Sequence, residues 1–189
     1  IGGVVHLVHQ GVMKITLFFA AGNYAETLGI HKVSEMNGVG CRMPLTTLAF
    51  SIAALGMIGI PPVAGFVSKW YLGIGAMEAG MAAWVLPVLI ASSALNAAYF
   101  LPILYRAWFK PAKATWPDER VVLPNLETHA SLLWPPVITA SLALTAGLFA
   151  TQEQLETDPE LCRRMLIVNH AHSVVFLEQA RRRLLERGG

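Results

Sequence analysis

Between Ala82 and Phe109 the chain runs for 28 residues with a single charged side chain, Arg106. About 20 apolar residues in a helix are enough to cross the hydrocarbon core of a bilayer, so this segment alone pushes the fold towards lipid. Val4–Tyr24 and Ser131–Ala150 read the same way, and two shorter apolar stretches lie between them. A soluble enzyme carrying all these spans would need a very large covering domain. Hydrophobic residues make up 54% of the 189 and charged residues 14%, against about 25% charge in soluble domains. The charges are also unevenly placed: residues 1–109 hold eight and residues 110–189 hold eighteen. The expectation is an all-α, polytopic transmembrane protein, integral to the membrane, with a charged tail.

Spans are expected near residues 4–24, 45–60, 62–77, 82–109 and 131–150, with an amphipathic tail over 151–189. Residues 25–44 form a polar connection closed by Pro44, and residues 111–130 form a loop with three prolines. Pro61-Pro62 argues against one uninterrupted helix over 45–77, because proline lacks the amide donor. Two readings stand: two closely connected crossings, or a crossing plus a shorter broken one. Irregular backbone inside a membrane is tolerated only where protein or a wet cavity covers it. Tyr105 and Trp108 at the basic end of 82–109 fit an interfacial belt. In the tail, Arg181, Arg182 and Arg183 suit anionic headgroups or a neighbouring membrane protein.

The chain starts at Ile1, becomes apolar within three residues and shows no basic leader or cleavage site, which reads as a fragment or internal cut. Cys41 and Cys162 lie far apart without metal-ligand spacing, and the net charge of +2 gives no support to a nucleic-acid role.

Two lysines stand where the hydrophobic pattern has no place for them. Lys14 lies near the middle of the first apolar segment, where a charge costs roughly 2.5–3.5 kcal/mol on insertion scales. His6, Gln10 and Lys14 are spaced by four and climb one face, with His9 on its flank. Lysine and histidine on one arc can pass protons, whereas glutamine holds water without titrating. The plainer alternatives are interfacial histidines and a structural ion pair. Zinc at His6 and His9 lacks local ligands to complete a set. Lys69 follows Gly65-Phe66-Val67-Ser68 with no acid within four residues, so a structural pair would need a distant acid such as Glu78. Ser68 reads equally as a packing hydroxyl. Ser92, Ser93, Asn96 and Tyr99 form a mildly polar stripe that either solvates a water line or joins helices.

Three runs, HLVHQGVMKITLFFAAGNYAE, GIPPVAGFVSKWYL and SALNAAYFLPILYRAWF, resemble the proton-conducting antiporter-like membrane subunits. That family includes the proton-pumping membrane subunits of respiratory complex I and members of multisubunit cation/proton antiporters. The Ser-Lys-Trp-Tyr-Leu ending looks most like the D-type antiporter member. The resemblance covers about residues 1–110 well and 131–150 loosely. It implies the C-terminal part of an inverted-repeat bundle with broken helices and a central polar axis. It places Lys14 on the lysine of the later half-channel, His6 on an upstream histidine, and Lys69 at the end of the axis. Gln10 stands where many members have histidine, which leaves either His9 or water to serve that step.

The resulting expectation is proton translocation along Lys14, Lys69, His6 and His9, supported by Gln10, Ser68, Ser92 and Asn96. The setting would be a multisubunit Na⁺/proton antiporter or, alternatively, an NADH–quinone oxidoreductase or related redox complex. A structural or assembly subunit is the alternative of another class. Other membrane subunits and protons are the implied partners, joined by Na⁺ in the antiporter setting. No flavin, haem, nucleotide or iron–sulfur motif is visible, so no cofactor is assigned.

Overall fold

A computed structural model describes residues 2–112, 116–117 and 127–157. The expectations for residues 158–189 lie outside the described residues. Residues 1–149 belong to one compact unit, and Ala150 onward to a second.

Helix α1 runs Gly2–Leu28 and ends where Gly29 turns left-handed at φ +65. A 3₁₀ turn, Val33–Glu35, and the short helix α2, Val39–Arg42, make up the polar connection. Helices α3, Pro44–Ile58, and α4, Ala64–Glu78, follow on either side of the double proline. Helix α5 covers Ala82–Phe109, and α6 covers Ala130–Thr157. Three stretches are long and apolar enough to cross a membrane: Gly3–Leu28, Ala82–Phe109 and Ala130–Ala150.

The segments expected near 45–60 and 62–77 turn out differently from either reading. Each forms a helix of 15 residues, about 22 Å at 1.5 Å per residue, short of the roughly 30 Å of a hydrocarbon core. They follow one another along a single path. Going from α3 into α4, Thr47 bonds Tyr24, Gly56 lies against Met13, Ala64 O accepts from His9, and Ser68 meets His6. The numbers on α1 fall steadily as those on α3 and α4 rise. On the other side Ser51 accepts from Trp108, Met57 O from Asn96, and Lys69 reaches Ser93. α3 and α4 are therefore two halves of one discontinuous strut, antiparallel to both α1 and α5.

Small residues let the backbones approach. A Cβ on Gly65 would run into the carbonyl of Gly56, and one on Gly147 into Pro62 O and Ala64 N. The second contact seats α6 against the break. Beneath it lies a small core of Met13, Val63 and Ala143, with Val12, Ile52, Met57 and Leu144 around it. Helix α6 is antiparallel to α1, with Thr27 bonded to Thr128 and Thr16 to Thr139, both at 2.7 Å. Pro136 has no N–H for the carbonyl four residues earlier. That carbonyl, Leu132 O, instead accepts Asn23 Nδ2 at 2.9 Å from α1. One of the two carbonyls freed by the proline pair is thus satisfied by a polar side chain on the neighbouring helix.

Candidate functional site around the helix break

Helix α3 stops at Ile58 because Gly59 takes φ +92, a conformation that L side chains rarely adopt. Gly59 N and Ile60 N both bond Leu55 O, at 3.0 and 3.1 Å. The last carbonyls of a helix have no partner of their own, and in a membrane they cannot turn to bulk water. Here two of them, Met57 O and Ile58 O, accept Lys69 Nζ at 3.1 and 3.0 Å.

Lys69 is the sixth residue of α4. Side chains on a helix lean towards its N-terminus, so the lysine stem points back across the break to the end of α3. A side chain at position 59 would crowd it, because a Cβ there would lie 3.0 Å from Lys69 Cδ. The third N–H of the ammonium goes to Ser93 Oγ on α5, at 2.8 Å. Asn96, one turn further along α5, gives Nδ2 to Met57 O at 3.2 Å. The half-buried cation thus has three neutral acceptors, and no acid among the described residues pairs with it. Glu78, the distant partner considered from sequence, is nine residues further along the same helix and plays no part in the seat.

Neutral groups offset part of the cost of holding the ammonium without a counter-ion. A lysine at mid-membrane costs roughly 2.5–3.5 kcal/mol. Each hydrogen bond to a charged group returns about 1.5–3 kcal/mol, and the negative end of a helix dipole adds about 0.3–2 kcal/mol for a nearby cation. Three bonds and one helix end are what the seat offers the ammonium.

The same seat also accommodates the neutral amine. Met57 O and Ile58 O can only accept, but the Ser93 hydroxyl can reverse and donate to the nitrogen lone pair. Met57 O would still receive Asn96. No group is stranded in either protonation state, which suits a residue that gains and loses a proton.

On the opposite side of the break two histidines meet α4. His9 Nδ1 lies 3.0 Å from Ala64 O, a carbonyl that can only accept, so Nδ1 carries the proton. His6 Nδ1 lies 2.9 Å from Ser68 Oγ, and that hydroxyl donates to Gly65 O at 3.2 Å. Ser68 is buried, and it joins His6 to the turn next to Lys69.

Other sequence-based candidates are placed apart. Lys14 is exposed and makes no hydrogen bond or ion pair with the described residues, and Gln10 makes none either. A helix turns about 100° per residue, so four-residue steps drift by about 40° each and put Lys14 some 80° around from His6. His9 lies on the other flank, towards α4. The supposed single face is an arc, and only its His9–His6 edge meets the break. Ser92 is exposed, and its neighbour Ser93 is the hydroxyl that reaches Lys69. The i, i+4 relation of Ser92 and Asn96 pointed to Ser92, whereas Ser93 and Asn96 at i, i+3 also share a face. Sequence reasoning had no signal for the two carbonyls of α3 beyond the prolines that expose them.

Residues 1–95 match the family described as NADH:quinone oxidoreductase/Mrp antiporter, transmembrane. This chain belongs to that family. It is 41% identical over 162 residues to the N subunit of the NADH-quinone oxidoreductase of Desulforudis audaxviator, covering 80% of this chain and 31% of that protein. It is 30% identical over 148 residues to the D-type member of the Na⁺/H⁺ antiporter of Bacillus subtilis, covering 78% and 28%. Similarity to the N subunit of the F420H2 dehydrogenase of Methanosarcina mazei is 29% over 132 residues, covering 65% and 26%. The chain spans less than a third of each of these relatives. Membership fits the three apolar helices, and the protein is integral to the membrane.

Proposed function

We propose that this chain forms part of a proton route in a membrane subunit of a multisubunit complex, with Lys69 as a site where a proton is held and passed on. The observation that carries the reading is the seat of Lys69: an ammonium at a helix break, bound by neutral acceptors that serve both of its protonation states. His6, linked through Ser68, is the next group able to exchange a proton on the α1 side. Lys14 and His9 remain members of the proposed route. Lys14 would act from the exposed side of α1, and His9 would hold the first turn of α4 while its Nε2 is left to exchange protons.

For the source of energy we favour a quinone-reducing redox complex. Similarity to the N subunit of an NADH-quinone oxidoreductase is the higher and longer of the two matches, 41% over 162 residues against 30% over 148 for the Na⁺/H⁺ antiporter protein. Other membrane subunits of that complex would be the partners. The Na⁺/proton antiporter is the second reading, supported by the antiporter match and the Ser-Lys-Trp-Tyr-Leu run.

The test uses the full-length protein assembled with its complex in everted membrane vesicles, with the pH gradient followed by a fluorescent dye. Lys69→Ala is expected to assemble at the parental level, seen on a native gel, and to lose most proton transport. Acidification driven by quinone reduction supports the redox reading, and a gradient dissipated by added Na⁺ supports the antiporter. Undiminished transport in assembled Lys69→Ala refutes the role of Lys69. Loss of the complex itself would favour a structural subunit.

A further inference from the structure

Glu127 lies just before α6 and sits on the start of α3. Its Oε1 accepts from Leu45 N and from Thr46 N, the latter at 3.2 Å, and its Oε2 accepts from Thr46 Oγ1 at 2.9 Å. Helix α3 has no side-chain cap from its own preceding residue, Met43. A carboxylate 81 residues away in sequence supplies one. The next residue, Thr128, is buried and bonds Thr27 of α1, so Glu127 is itself anchored.

Helix α3 is therefore gripped at both ends by opposite charges, each matching the sign of its dipole: Glu127 at the positive start and Lys69 at the negative end. The break interrupts the ladder of backbone hydrogen bonds that would otherwise tie α3 to α4. The end of α3 carries two of the three acceptors for Lys69, so the lysine can be only as well placed as α3 is held lengthwise.

We infer that Glu127 is a positioning residue for Lys69: by clamping the start of α3 it fixes the two carbonyls at the other end that seat the ammonium. The clamp is a physical claim about α3, while its effect on transport rests on the proton-route reading above. Both carboxylate oxygens are engaged by α3, so the role inferred for Glu127 is to hold that helix.

The experiment compares parent, Glu127→Gln, Glu127→Asp and Thr46→Ala in the full-length, assembled complex. Hydrogen exchange is read by mass spectrometry over residues 44–47 and over the break at 59–63, and proton transport is measured in vesicles. Glu127→Gln is expected to raise exchange at both places and to lower transport roughly ten-fold, the order of one lost charge-assisted hydrogen bond. Glu127→Asp should restore part of both, and Thr46→Ala should give a milder form of the same pattern. Faster exchange confined to residues 44–47 would overturn the inference, because a local cap would not reach the far end of a 15-residue helix. Loosening at the break with unchanged transport would also overturn it. If the parent itself moves no protons, the proton-route reading fails, and exchange at the break still decides the clamp.

Discussion

Lys69 forms the seat with two backbone carbonyls and one hydroxyl, and the hydroxyl is the partner that can change sides. Ser93→Ala should therefore slow proton transfer more than it weakens the fold, with vesicle transport falling several-fold to roughly ten-fold and the complex still assembled. Ser93→Thr keeps the hydroxyl and should recover much of the rate. Ser92→Ala, at an exposed position with no bond to the seat, should leave transport unchanged. Equal losses from the two alanine variants would remove Ser93 from the mechanism. The lysine was legible from sequence because a charge within an apolar run is conspicuous. Choosing between adjacent serines needs the rotation of α5 against α3, which spacing along one helix does not contain. Glu127 was missed for a similar reason: its partners, Leu45 and Thr46, are more than 80 residues away, and nothing in a proline-rich loop singles out one acid.

At the level of elements, the double proline revealed an interruption but not its form. Two apolar stretches separated by a break can turn back as a hairpin or continue in line, and the hydrophobic pattern is the same for both. Here the contacts with α1 and α5 run in one direction through both helices, so they continue in line. Gly56 and Gly65 let α3 and α4 meet backbone to backbone at the break. Gly65→Ala should lower thermal stability of the purified, assembled protein by about 1–3 kcal/mol, since a backbone carbonyl has little room to yield. Gly75→Ala is the matched control in the same helix: nothing lies within 4 Å of its added Cβ. Its expected effect is neutral or stabilising by up to about 1 kcal/mol from helix propensity. Equal melting shifts in both variants would mean the contact at the break does not limit stability. The long helices were easier to read. Val4–Tyr24 became Gly2–Leu28, and the predicted segment 82–109 matches α5 residue for residue.

Across the molecule, α1, α5 and α6 brace a strut that does not span as one helix, and the break is covered from three sides. His9 and Met13 of α1, Ser93 and Asn96 of α5, and Gly147 of α6 all converge there. Gly147→Leu should push α6 away from Pro62 and Ala64, which predicts both a lower melting temperature and reduced transport in vesicles. Retention of both would show that α6 only borders the site. Such convergence was not readable from the sequence, because the participants are spread over more than 130 residues and share no motif. Lys14 marks the opposite case: it was readable at once, yet it stands on the exposed side of α1, outside the described contacts.

The absence of an acid beside Lys69 among the described residues has an electrical consequence. In an ion pair, an arriving proton would cancel the charge of the acid and leave the region neutral. On the proposed route Lys69, bonded to two carbonyls and one hydroxyl, would switch the region between a full positive charge and none. Each turnover at that residue would then appear as a capacitive current on a supported membrane before any steady flow. The break in α3–α4 would act as one plate of a molecular capacitor, charged one proton at a time.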